Sequence, residues 1–167
     1  MNNPKEILIE KRDGSKEPLD INKMHFVVEQ ACEGLTGVSA SQIEMNSHIQ
    51  FTSGMTSRDI QDILIRSAND LITLDNPNYQ FAASRLLLWN VYKEVFGQFQ
   101  PKHFVNVIIQ NVKRGVYDKQ ILDNYTKTEL KKLNTWIKHD RDLDYTYAGL
   151  RQVVDKYLVQ DRSTGQV

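Results

Sequence analysis

The spacing of apolar residues changes once along this chain, at Asp20, and that change limits the fold more than any other feature. Ahead of it, residues 6–10 read EILIE, a short β-type run, and residues 16–19 supply a return strand beyond Asp13-Gly14. Asp-Gly suits a type I′ hairpin turn, in which both central residues need positive φ. Pro18 has no N–H to donate, so the return strand should be short or lie at an edge. A lone hairpin is marginal in water, and every later periodic segment is helical. The expectation is a mainly α fold with a small N-terminal β-hairpin resting on helices.

Asp20 is a good N-cap, and Ile21, Met24, Val28, Ala31 and Leu35 recur at helical spacing until Gly34 and Gly37 end the helix. Ser39-Ala40-Ser41-Gln42 has the form of a capping box and opens a second helix carrying Ile43, Ile49 and Phe51, which Gly54 breaks. Thr56-Ser57-Arg58-Asp59 opens a third, with Ile60, Ile63, Leu64, Ala68 and Leu71 on one stripe. Asn76-Pro77 reads as an N-cap followed by proline at the first helical position of a fourth helix, which runs to about Phe96 and stops at Gly97. Residues 98–100 read as a linker. Pro101 starts a further helix ending near Gly115, Thr126-Lys127-Thr128-Glu129 caps another that runs through Ile137, and a last helix covers residues 147–157. Tyr157-Leu158-Val159 reads as extended and Ser163-Thr164-Gly165 as a turn, so the chain is expected to be the front piece of something longer.

Lys plus Arg and Asp plus Glu both number 21, a net charge of zero, whereas a general nucleic-acid binder carries a basic excess. The single cysteine, Cys32, leaves no intrachain disulfide or Cys-based zinc site and suits a reducing, cytoplasmic compartment. Neither a signal-peptide apolar region nor a run long enough to span a membrane is present in the sequence.

Three clusters carry candidate chemistry. Lys11-Arg12-Asp13-Gly14, with Glu17 and Lys23 behind it, puts two cations at a tight hairpin facing a helix start, an arrangement that can hold a polyphosphate. Charged residues also flank most hairpin turns with nothing bound. Thr56-Ser57 at a helix N-terminus favours an anion, or serves only as a cap. Arg85 and Lys93, eight residues apart, share roughly one helix face, as a binding edge or a solvated one. His25, His48, His103 and His139 show no metal-ligand spacing, and His139-Asp140-Arg141-Asp142 reads as a charged helix-to-loop junction. No Walker lysine loop or nucleophile–base pair occurs, and Cys32 falls on an apolar stripe as an inert thiol.

Several separated motifs nevertheless stand in a familiar order. Ile9-Glu10-Lys11-Arg12-Asp13-Gly14, Glu17 and Leu19-Asp20-Ile21-Asn22-Lys23 resemble the ATP-cone opening of the class I ribonucleotide reductase large (alpha) subunit. Ser47-His48-Ile49-Gln50-Phe51, Gly54-Met55-Thr56-Ser57-Arg58-Asp59-Ile60, Pro77-Asn78-Tyr79-Gln80-Phe81-Ala82-Ala83-Ser84-Arg85 and Tyr92-Lys93-Glu94-Val95-Phe96-Gly97-Gln98-Phe99 follow in family order. The resemblance continues through Tyr117-Asp118, His139-Asp140-Arg141-Asp142 and Lys156-Tyr157-Leu158-Val159-Gln160, covering essentially the whole chain.

The resemblance implies an ATP-cone over residues 1–97, a four-helix bundle capped by a β-hairpin. Residues 98–167 would be additional helices, the helical start of the catalytic subunit truncated before its barrel. It implies allosteric binding of ATP or dATP, with magnesium, ATP activating and dATP generally inhibiting the supply of deoxyribonucleotides for DNA synthesis. Lys11, Arg12, Glu17, Lys23 and Lys93 match family nucleotide-site positions. The hairpin cations and Lys93 would meet phosphates, and Glu17 and Lys23 would lie near base and sugar. Ser57 stands where many relatives have a contacting threonine and keeps the hydroxyl. Gln61 stands where they have a histidine that takes part in telling ATP from dATP, so dATP inhibition is placed in doubt; some phage-type relatives share features of this departure. The implied partners are the rest of the large subunit and the radical-generating small subunit, in an oligomeric enzyme, with no nucleic acid and no membrane. The family's catalytic cysteines lie downstream of the cone, so no catalytic residue is expected here. Two other readings remain: a cone reduced to a subunit-docking module, and a stand-alone ATP-cone transcription regulator. The regulator family carries a zinc ribbon ahead of its cone, for which this chain has neither the cysteines nor the residues.

Overall fold

The computed structural model describes residues 7–159. Strands β1 (Leu8–Glu10) and β2 (Lys16–Pro18) pair antiparallel, with Leu8 opposite Pro18, Ile9 opposite Glu17 and Glu10 opposite Lys16. The turn between them differs from the expected type I′. Gly14 N donates to Lys11 O at 2.9 Å and Lys11 N to Ser15 O at 2.8 Å. Only Gly14 of the loop has positive φ, at 81°. This is a three-residue loop, a type I turn closed by a left-handed glycine. Asp13 escapes the left-handed region by accepting from Ser15 N at 2.9 Å.

The hairpin has a third neighbour that the apolar pattern does not reveal. Residues 53–56 run parallel to β1: Gly54 N donates to Leu8 O at 2.8 Å, Glu10 N to Met55 O at 2.9 Å, and Glu10 bridges Thr56. β1 is therefore central and β2, with Pro18, lies at an edge where a missing donor costs nothing.

Helices α1 (Ile21–Cys32), α2 (Ala40–His48), α3 (Ser57–Asp70) and α4 (Tyr79–Phe96) form the bundle beneath. Asp20 caps α1 by accepting from Lys23 N at 3.0 Å. α2 ends earlier than its apolar residues suggest. After His48 the chain turns, Ile49 is 88% exposed, and Phe51 enters the core from a loop. Its capping box is half made: Ser39 accepts from Gln42 N at 3.4 Å, while the Gln42 side chain accepts from Tyr79 OH. α4 starts two residues later than Asn76-Pro77 implies. Asn78 is its N-cap, and the Asn78 amide instead donates to Thr36 O at 2.9 Å, tying the helix start to the α1–α2 loop.

Past Gly97 come α5 (Phe104–Lys113), a short α6 (Gln120–Asn124) that the sequence reading lacks, α7 (Lys127–Trp136), a 3-10 helix (His139–Asp144) and α8 (Tyr147–Lys156). α5 begins three residues after Pro101, with its first amide, Phe104 N, held by Asn134 Oδ1 of α7 at 2.7 Å. Tyr157 to Val159 are not a strand; Leu158 N folds back onto Val153 O at 3.0 Å. The predicted 163–165 turn lies outside the described residues.

Apolar burial falls into two clusters. The larger joins Ile9 of β1 to Val28, Ala31, Ile43, Leu64 and Leu86 of the bundle, and takes in Leu150 of α8. The smaller holds Val105 and Ile108 of α5 and Leu130 of α7. α8 thus returns to the first bundle, against α4.

Candidate functional site

A cavity of about 330 Å³ opens between the hairpin, α1, α3 and α4. Each wall follows from a local feature of the chain. The type I turn projects Lys11 and Arg12 from the hairpin; Lys23 sits one turn into α1, beside the Asp20 cap; Lys93 comes from the last turn of α4. The parallel bridge from Glu10 to Thr56 brings the N-terminus of α3, with Ser57, against the hairpin. Gln61 follows one turn later on the same helix. All seven residues singled out in the sequence, Lys11, Arg12, Glu17, Lys23, Ser57, Gln61 and Lys93, line this one cavity. Its floor is apolar, formed by Ile9, Met24, Ile60 and Leu64.

The cations are held unequally. Lys11 pairs across the hairpin with Glu17 at 3.0 Å, and that hydrogen bond and charge raise its pKa. Arg12 reaches over to α4 and donates to Asn90 Oδ1 at 2.8 Å. Burial lowers its pKa, with the charge of Arg58 adding to the effect and that of Glu94 opposing it. Arg58 and Glu94 themselves form an ion pair joining α3 to α4. Lys93 is disfavoured in its charged form by burial first, then by Arg12, Lys23 and Lys11. Its ammonium lies 4.7 Å from the centre of the Phe99 ring. On the α3 side, Thr56 and Asp59 complete a reciprocal capping box, which leaves the Ser57 and Arg58 amides without an intrahelical acceptor. Gln61 Nε2 donates to Leu86 O of α4 at 3.0 Å, so its amide orientation is tied to the neighbouring helix.

Arg85 does not join the site. Eight residues advance a helix by about 80°, enough to turn its side chain away from that of Lys93. Its Nη1 donates to Glu33 O at 2.7 Å and Ala31 O at 3.2 Å, capping the C-terminus of α1. Cys32 is half-buried beside it, and burial pushes its thiol up to about 11, the condition of an inert thiol. The His139–Asp142 stretch is more than a solvated junction: Asp142 accepts from Tyr92 OH of α4, with His139 Nδ1 2.9 Å away. Sequence reasoning missed Asn90 and Phe99. Asn90 is nearly buried among apolar neighbours of α4, a recognisable signal for a polar residue with an assigned partner; Phe99 closes one of the family-order motifs, but its place in an apparent linker gave no hint of a contact with Lys93. Among the described residues, no cluster of His, Cys, Asp or Glu could hold a metal ion, and no helix is long and apolar enough to cross a membrane.

Comparison with known proteins gives this geometry a family. Residues 7–94 match the ATP cone domain. The chain is 44% identical over 161 residues to the ribonucleoside-diphosphate reductase 1 subunit alpha of Escherichia coli K12, covering 96% of this chain and 21% of that protein. It is 40% identical over 163 residues to the subunit alpha of Haemophilus influenzae, covering 98% and 22%, and 38% identical over 157 residues to that of Enterobacteria phage T4, covering 94% and 21%. The chain spans about a fifth of the length of these relatives. With more than half of its residues matched, from the hairpin that carries Lys11 and Arg12 to the helix that carries Lys93, the chain belongs to the ATP cone domain family.

Proposed function

We propose that this chain is the nucleotide-sensing part of a ribonucleoside-diphosphate reductase alpha subunit, binding ATP or dATP in the cavity without chemistry on it. One observation carries the reading: Lys11, Arg12, Lys23 and Lys93 converge from three elements on one cavity, where burial first and then the neighbouring cations disfavour the charge on Lys93. A polyanion relieves that crowding. Lys11, Arg12 and Lys93 would meet the phosphates, assisted by the first amides of α3 at Ser57. The apolar floor offers a surface for the base, with Glu17 and Lys23 near base and sugar. Magnesium keeps most of its waters and is held mainly by phosphates with one or two carboxylates. Asp13 lines the cavity at the hairpin turn, beside the phosphate-facing cations, and suits that lesser part.

In this reading residues 1–97 form the sensor and residues 98–167 the first helices of the catalytic region. The rest of the large subunit, the small subunit and further copies are the partners, in the cytoplasm. Calorimetry with ATP and dATP tests the core of it: both should bind, and no heat at millimolar concentration would sink the reading in favour of a docking module. Gln61 gives the finer expectation. Gln61 stands where the resemblance places a histidine that helps tell ATP from dATP, and its amide is held by Leu86 O, so dATP should not promote assembly much more than ATP does. Light scattering that shows assembly with dATP alone would refute the weight placed on Gln61.

A further inference from the structure

We propose that Phe99 is a positioning residue of this pocket: its ring competes with an entering phosphate for the Lys93 ammonium, and so passes the pocket's occupancy to the segment leading into α5. The inference rests on the nucleotide reading above.

Three observations carry it. The Phe99 ring lies 4.7 Å from Lys93 Nζ, and among the described residues Lys93 has no carboxylate within ion-pair distance. Among the charges of Arg12, Lys23 and Lys11, with only the more distant charge of Glu17 opposing them, the ammonium has the face of this ring as its nearest negative counterpart. Phe99 is also the one aromatic among the described residues that line the cavity, and it lies outside the segment matched by the family, residues 7–94. Finally, it stands where the chain leaves α4. Gly97, at φ 71°, ends the helix in the left-handed conformation and turns the chain so that Phe99 comes back over Lys93. Phe99 belongs to neither apolar cluster among the described residues, so the Lys93 contact is one of the holds on the start of the 98–103 segment.

A cation–π contact at a partly exposed ring is weaker than a charge-assisted contact to a phosphate. Lys93 therefore goes over to the anion, while the ring remains near enough to take it back. When it does so, Phe99 loses its partner and the 98–103 segment loosens.

Competition fixes the sign of a mutational series. Phe99→Leu removes the competing face and Phe99→Trp strengthens it, since tryptophan is the best cation–π partner. Inorganic tripolyphosphate, titrated into the 167-residue chain by calorimetry, should bind about two- to fivefold tighter to Phe99→Leu than to the parent. It should bind more weakly to Phe99→Trp, and ATP should follow the same order. In the parent, the Lys93 ε-methylene protons should show an upfield ring-current shift that tripolyphosphate abolishes, with faster amide exchange at Gln100 and Lys102. A flat or reversed affinity order overturns the proposal. So does a loss of ATP affinity in Phe99→Leu with tripolyphosphate unchanged, which would make the ring a platform for the base. If neither anion gives heat with the parent chain, the nucleotide reading fails and takes this inference with it; binding without the ring-current change removes this inference alone.

Discussion

The hairpin with α1–α4 and the group α5–α7 are built from similar amphipathic helices, yet they bury them to different depths. In the first, Val28, Ala31, Ile43, Ala68, Ala82, Ala83 and Leu86 have no exposed surface at all. The alanines of α4 let its neighbours approach closely, and residues from β1 and all four helices meet. In the second, Val105, Ile108 and Leu130 are the buried hydrophobics, while Trp136 is 66% exposed. α8 follows α7 in sequence but sends Leu150 into the first core. The difference bears on the site. Holding four cations around one cavity requires a scaffold that will not yield to their repulsion, and the deep core lies directly beneath them.

The largest expected effect tests that difference in depth. Leu86→Ala should destabilise the chain by about 3–5 kcal/mol, the cost of a cavity in a closely packed core. Leu130→Ala should cost about 2 kcal/mol, because its thin surroundings can collapse, and should leave ATP binding unchanged. Denaturant unfolding followed by hydrogen exchange checks both; equal costs would mean that the two clusters form one cooperative core. Next in size, Arg12→Ala should weaken ATP binding by about 1.5–3 kcal/mol, roughly ten- to a hundredfold, since a charge-assisted contact is lost. Unchanged affinity in calorimetry would place the site elsewhere. Tyr92→Phe removes the hydroxyl held by Asp142 and should cost about 1 kcal/mol. Exchange should quicken over α8 and not over α1; unaltered α8 protection would show that apolar packing of Leu150, Tyr147 and Val154 suffices to anchor the helix to the first bundle.

The smallest effect is a pH dependence confined to the first bundle. His25 Nδ1 lies 2.6 Å from Glu44 of α2, with Glu29 at 3.1 Å from its Nε2, and these partners raise its pKa above 6.5. A group whose pKa is raised on folding contributes fully below the unfolded value and loses that contribution as pH rises through the folded one. Melting temperature should therefore decline slightly from pH 6 upward through the raised folded-state pKa. His25→Gln should flatten the decline; an unchanged slope would put the titration elsewhere.

Much of the bundle was legible because capping and periodicity are local. Asp20, Thr56 and Thr126 cap as read, and Gly97 ends α4. Two of the misread helix starts involve a side chain diverted by a distant partner, whereas the hairpin turn and residues 157–159 were misread through local hydrogen bonds. Asn78 rather than Asn76 marks the start of α4 because Thr36 takes its amide, and Gln42 leaves its capping box for Tyr79. Phe51 kept its place in the core while its helix ended without it, since a loop can deliver a side chain as well as a helix can. At the site, the seven residues were nameable from motif order, and their convergence on one cavity was not, because it depends on the pairing of β1 with residues 53–56. The direction of Arg85 depends in the same way on a tertiary neighbour, the end of α1, and the Phe99–Lys93 contact depends on the turn at Gly97, neither of which spacing encodes.

That pairing has a consequence for the order of assembly. The contacts from Leu8 to Ser53 and from Glu10 to Thr56 close a loop of some 45 residues, with α1 and α2 inside it. The hairpin, being local, can form early, but a closure of this length comes late and forms cooperatively with the packing around it. Until it forms, Ser57 and Gln61 are remote from Lys11 and Arg12, and the isolated hairpin is only a loose pair of cations. A growing or partly unfolded chain is therefore blind to the ligand, and ligand affinity doubles as a measure of how much of the chain has completed its fold.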